Sequence, residues 1–264
     1  MTDTVAPLKR LAGRASSDNH EARKAEGAIR MATSGGQRTT RGLWGALQTF
    51  AVLFMAAGLV VATLHGWRLW ALQGLSPDAT VNGGGGLEEF LPVEWVPVYA
   101  IALLVLLATY VVAAILTLIW YQRSVRNARS LVRGVRTTPA WAVAFFFIPV
   151  LSLIKPYAVT SELWRSSKSP DRWLGQPDPA ALRWWWGLVL IGGLASATAR
   201  YLEVPGATVA SLIMADATMI LSLALHILAG VLFLQIGGAI TRAQNGLIDS
   251  GYAPPPSDLP RWAA

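Results

Sequence analysis

The sequence contains no cysteine, which excludes disulfides, thiolate catalysis, iron–sulfur clusters and the commonest zinc sites. Charge is scarce as well. Only 14% of the 264 residues are Asp, Glu, Lys or Arg, against about a quarter in an ordinary soluble domain. Histidine is limited to His20, His65 and His226, which gives a Ser-His-Asp arrangement little to work with. No HExxH, nucleophile elbow, P-loop or paired helical carboxylates are found. No enzyme activity and no metal site is expected. Residues 1–42 lack an apolar h-region, so no secretory signal peptide is expected and the first apolar segment is expected to be a retained anchor. No internal repeat is visible, which weighs against inverted-repeat transporters.

What is abundant is apolar sequence, 53% of the chain. It comes in blocks, and runs such as Ala100–Trp120 have no polar face, the pattern of a helix surrounded by lipid or a bundle core. A hydrocarbon core takes about 20 residues to cross. Four spans are expected, at about 43–66, 96–121, 184–200 and 217–236, with tryptophans such as Trp44, Trp67 and Trp184 at the interfaces. The apolar stretch from Ala207 to Ile240 would be about 50 Å long as a helix, too long for one crossing, so its start is expected in an interfacial turn. The fold class is therefore all-α integral membrane protein.

The net charge of +7 would point to nucleic acid in a soluble protein; here no nucleic-acid-binding fold accompanies it. Lys and Arg accumulate in connections on one side, as the positive-inside rule requires. The loop from Gln73 to Glu94 carries Asp78, Glu88, Glu89 and Glu94 with no Lys or Arg. Both termini are expected in the cytoplasm. Asp18 and Glu21 form a capping-box pattern that predicts a short helix in the basic arm at 1–42. Asn82–Gly86 reads as a flexible turn, and the tail at 243–264 carries a polyproline stretch at Pro254-Pro255-Pro256.

Two segments between the second and third spans are distinctive. Arg123, Arg126, Arg129, Arg133 and Arg136 fall on one side of a helix, and Val125, Leu131, Val132 and Val135 on the other. This predicts a cytoplasmic amphipathic helix ended by Pro139, with the arginines facing anionic lipid or an acidic partner. The run at 140–154 is too short to span and is broken by Pro149 and Pro156. A full crossing there would put Arg165, Lys168, Arg172 and Arg183 outside, so a re-entrant or interfacial hairpin at about 140–163 is expected. Asn127, Ser152 and Thr160 are candidates to satisfy backbone carbonyls that the prolines free.

Trp120-Tyr121-x-Arg123-x-x-x-Asn127, Thr138-Pro139-Ala140-Trp141, Phe147-Ile148-Pro149, Lys155-Pro156 and Glu162-Leu163-Trp164-Arg165-Ser166 follow one another in an order that resembles a bacterial membrane family, domain of unknown function 4328. The resemblance covers about residues 120–173. Ser152 stands where a polar amide is expected, and the long basic arm is not part of the pattern. The resemblance implies a multi-helix bacterial membrane domain, and supplies no activity and no functional residues; the expected location is the inner membrane.

Other candidates come from the spans. Gly192/Ser196 and Gly193/Ala197 have the small-xxx-small spacing that lets a neighbouring helix approach closely. Asp216 and His226 are ionisable residues in an apolar segment, the positions where functional sites concentrate in membranes. Asp216 could pair with Arg200. A haem ligated through His226 would need His65 as the second ligand, about 12 Å away in depth, so no cofactor is expected. The reading is a non-enzymatic accessory or scaffold subunit packing against partner membrane proteins and anionic lipid. The alternatives are a small transporter or channel using Asp216 and His226, and a haem-carrying subunit.

Overall fold

The structure is a computed structural model describing residues 39–81 and 86–254. The expected arm helix, most of the glycine-rich turn and the tail beyond Pro254 lie outside the described residues. Four helices among the described residues are long and apolar enough to cross a membrane: α1 (Arg41–Leu72), α2 (Val96–Leu131), α5 (Ala180–Leu202) and α6 (Val209–Asp249). Two shorter helices, α3 (Pro139–Ala144) and α4 (Lys155–Lys168), lie between α2 and α5. The described chain contains no strand, only an isolated antiparallel bridge between Thr80 and Thr208.

The helix starts follow local chemistry. Pro97 and Pro156 occupy first-turn positions, where a missing N–H costs nothing. Thr138 and Thr208 accept hydrogen bonds from the backbone N–H groups of Trp141 and Ser211, each an N-cap that satisfies an orphan donor. Four crossings return the chain to the end at which it began. The Thr40 N–H donates to Asn245 Oδ1 at 3.1 Å, and Arg41 pairs with Asp249. The bundle thus has a basic end, holding Thr40, residues 121–180 and the end of α6. Its acidic end holds the α1–α2 and α5–α6 connections.

The core sits just inside the basic end, where every long helix contributes an aromatic ring. Trp44 of α1 lies 5.3 Å from Trp120 of α2, and Phe233 of α6 lies 5.7 Å from Trp120 and 5.6 Å from Trp185 of α5. Trp120 Nε1 donates to Thr241 Oγ1 at 2.9 Å, so the indole's polar edge is satisfied within the core. Gly237 makes this packing possible, because a Cβ there would fall among the Trp44 ring atoms.

Three expectations are corrected. The last long helix starts at Val209 rather than near 217, as one 41-residue helix; Asp216 needs no turn because it is buried against α1. At about 60 Å this helix projects well beyond a hydrocarbon core of about 30 Å. The arginine segment is not a separate helix running to Pro139. Arg123, Arg126 and Arg129 extend α2, which stops at Leu131, while Arg133 and Arg136 lie in the connection after it. Val132 leaves the helix in an extended conformation and Gly134 has φ 81°. The apolar side of that segment does form, with Val125, Leu131, Val132 and Val135 all buried. Finally, Asp216 does not pair with Arg200, which is exposed.

Candidate functional site

The acidic end contains one buried charged cluster. Arg68 and Asp216 are both fully buried, on α1 and α6 respectively. Arg68 Nε donates to Asp216 Oδ1 at 3.1 Å and Oδ2 at 2.9 Å, and its Nη2 reaches Oδ1 at 2.7 Å. Its Nη1 lies 2.5 Å from Glu203 Oε1, and His65 Nδ1 lies 2.6 Å from Asp216 Oδ1. His65 and Arg68 stand three residues apart on one helix, so both meet the same carboxylate. Asp216 is therefore fully engaged within the bundle.

The basic end is built differently. Between α3, α4 and the connections around them lies a groove of about 710 Å³. Trp141, Phe145 and Leu174 supply apolar wall, and Arg136, Lys155 and Arg165 supply positive charge. Glu162 shapes the groove by accepting the backbone N–H groups of Arg136 at 2.6 Å and Thr137 at 3.2 Å. Arg165 is committed to Asp178, at 2.8 and 3.1 Å. Burial of Asp178 favours its neutral form. Hydrogen bonds from Arg165, Ser161 and Tyr157 outweigh that and hold the carboxyl below its usual range. The side chains of Arg136 and Lys155 form no ion pair among the described residues; Lys155 lies 5.5 Å over the Phe145 ring. The groove therefore presents two uncommitted cations above an apolar floor.

Prolines and tryptophans hold this end together. Ser152 and Thr160 donate to the carbonyls of Pro149 and Pro156, each at 2.7 Å. Trp186 Nε1 donates to Leu153 O at 2.8 Å, and Trp173 Nε1 to Arg133 O at 2.9 Å. Tyr121 and Thr160 share a 2.6 Å hydrogen bond. Asn127 is buried and Trp164 half-buried, the latter beneath Lys168 at 5.3 Å. Phe147, Val150, Leu153 and Ile154 are left exposed.

A second cavity, of about 240 Å³, lies between α2, α5 and α6 and includes His226 and Thr117 in its lining. His226 packs on Gly192, where a Cβ would approach its ring to 2.9 Å. Of the small-residue positions, Gly192 is buried against α6, Ser196 is half-buried, and Gly193 and Ala197 face outward; the packed stripe is Gly192, Ala195 and Ala199. The structure does not bring Asp216 and His226 together. They are about 15 Å apart along one helix, and His65 goes with Asp216. Sequence reasoning passed over Arg68, which it left in a loop, and Thr117. The signal for Arg68 was its position three residues after His65, directly after an apolar run.

Long apolar helices, a buried ion cluster and an aromatic girdle define a polytopic helical membrane protein. Residues 96–242, more than half of the chain, match the family model described as domain of unknown function (DUF4328), and the chain belongs to that family. The match is wider than the 120–173 core and takes in α2 through most of α6. No curated protein and no solved structure matches the chain.

Proposed function

We propose that the chain is a non-enzymatic membrane accessory protein that holds an anionic phospholipid at its basic end and packs there beside partner membrane proteins. The observation that carries this reading is the groove whose lining combines Arg136 and Lys155, without ion pairs among the described residues, with Trp141 and Phe145, Lys155 lying over the Phe145 ring. A phosphate headgroup meets the cations while its glycerol and upper acyl carbons meet the apolar wall; Arg and Lys near an anionic surface contribute on the order of 1 kcal/mol each. Charge sidedness supports placing this end, and both termini, in the cytoplasm of a bacterial inner membrane. The exposed Phe147, Val150, Leu153 and Ile154 support a re-entrant hairpin that dips into the near leaflet. Arg123, Arg126 and Arg129, on the cytoplasmic extension of α2, lie at the headgroups.

The test is extraction in mild detergent followed by mass spectrometry of the lipid that stays bound. Wild-type protein is expected to retain anionic over zwitterionic phospholipid, and the Arg136→Gln/Lys155→Gln double variant to lose that preference. Equal retention of both lipid classes by the wild type contradicts the proposal. Partner membrane proteins are expected in the same extract, and a solitary monomer argues against the accessory role.

A further inference from the structure

We infer that the cavity beside His226 binds the single-ring head of a lipid-soluble hydroquinone. Aromatic side chains of Tyr121, Phe146, Trp185, Trp186 and Phe233 wall this cavity. The polar edges of two of them are already occupied: Tyr121 Oη is bonded to Thr160, and Trp186 Nε1 donates to Leu153 O. The rings also pack on one another, Phe233 stacked against Tyr121 and Trp185, and a wall of this composition suits an aromatic guest. The pocket, of about 240 Å³ and open on one side, has room for a substituted ring.

Besides the Trp185 indole N–H, two lining groups are without a hydrogen-bond partner among the described residues, His226 Nε2 and the Thr117 hydroxyl. The partner of His226 Nδ1 is the Ser222 carbonyl oxygen at 2.8 Å. A carbonyl only accepts, so Nδ1 carries a hydrogen, the tautomer in which Nε2 of an imidazole is the acceptor. Gly192 lets α5 close against that ring. An apolar cavity with a few polar groups directed at it is the usual form of a small-molecule site. An acyl chain leaves both groups unsatisfied. A hydroquinone hydroxyl donates to Nε2, and a ring oxygen accepts from Thr117. The position of the cavity between spanning helices requires a guest that partitions into lipid. None of its lining residues belongs to the basic groove, so this inference is independent of the proposed phospholipid site.

The test uses the whole chain in nanodiscs, with binding of a short-chain benzohydroquinone, kept reduced, measured against empty nanodiscs. Saturable binding is expected, and the dimethyl ether of the same ring, which cannot donate, is expected to bind about tenfold more weakly. His226→Leu is expected to lower hydroquinone affinity severalfold while leaving the ether unchanged, and Thr117→Val to weaken both, since an ether oxygen still accepts a hydrogen bond. Equal binding of hydroquinone and ether identifies an apolar hole that any ring or acyl chain fills, and overturns the inference. So does partitioning no greater than into empty nanodiscs. The ether comparison uses unaltered protein, so the outcome does not depend on whether either variant folds.

Discussion

At the acidic end charge is taken out of solvent and neutralised side chain against side chain, with Arg68 held by Asp216 and Glu203. At the basic end ionic side chains mostly hold backbone and connections in place, as Glu162 does for residues 136 and 137. In the groove, Arg136 and Lys155 are left without an ion pair among the described residues. The contrast teaches where each end can be altered. A closed cluster fails when one member is removed, because the rest is buried and uncompensated; an open, partly solvated network loses its hydrogen bonds one at a time. By the same logic an open end with spare cations can take a ligand, and a closed one has no charge to offer.

Substitutions can break this comparison. The largest effect is expected for Asp216→Leu, which leaves the buried Arg68 with the part-exposed Glu203 and takes away the carboxylate it shares with His65; it should cost up to about 3–5 kcal/mol, read from unfolding in detergent. The double variant Arg68→Met/Asp216→Leu should recover most of that loss, since apolar residues can replace a buried pair. A single substitution no worse than a surface change would show that the cluster is not closed. Next is Gly237→Ala, where the added methyl must displace the Trp44 ring; about 1–3 kcal/mol is expected for overpacking, with an altered tryptophan near-ultraviolet spectrum.

Glu162→Gln sharpens the description of the basic end. It should weaken two charge-assisted hydrogen bonds, worth roughly 1.5–3 kcal/mol each at most, and speed hydrogen exchange at the amides of Arg136 and Thr137. Global unfolding should move less than local exchange, the opposite of the pattern expected for Asp216→Leu. The smallest effect is in acid. Asp178 is held below the usual carboxylate range, so its contribution is present above the unfolded-state value, near 4, and is lost as pH falls through the lower folded value. Fluorescence at the basic end should report loosening only in that acid window, and Asp178→Asn should remove the transition. Arg165 is a third exposed, so solvent screening keeps this contribution small.

Much of the fold was legible because lipid imposes a length on every crossing, and blocks of apolar residues record it directly. The ends of the helices were less legible. Length suggested a turn at the start of the last apolar segment, but it forms one 41-residue helix, and the partner of Asp216, Arg68, lies on another span where no local pattern points to it. The arginine segment was half readable: its apolar positions predicted burial correctly, but its helix stops at Leu131, where Val132 turns extended. Pairing across distant segments, such as Trp120 with Thr241 or Trp186 with Leu153, leaves no trace in periodicity. His226 stood out as an ionisable residue in a span while Thr117 drew no notice, and only packing against Phe146 and the tryptophans of α5 puts them in one pocket.

The absence of cysteine makes sidedness directly measurable, since each introduced thiol is the only one in the chain. Leu174→Cys lies on the exposed surface of the basic end and Ser76→Cys in the acidic-end connection after α1. Both would be treated with a membrane-impermeant maleimide in right-side-out and inside-out vesicles. The account predicts that residue 174 reacts only in inside-out vesicles and residue 76 only in right-side-out ones. Labelling of both from the same face, or with the sides reversed, would contradict it.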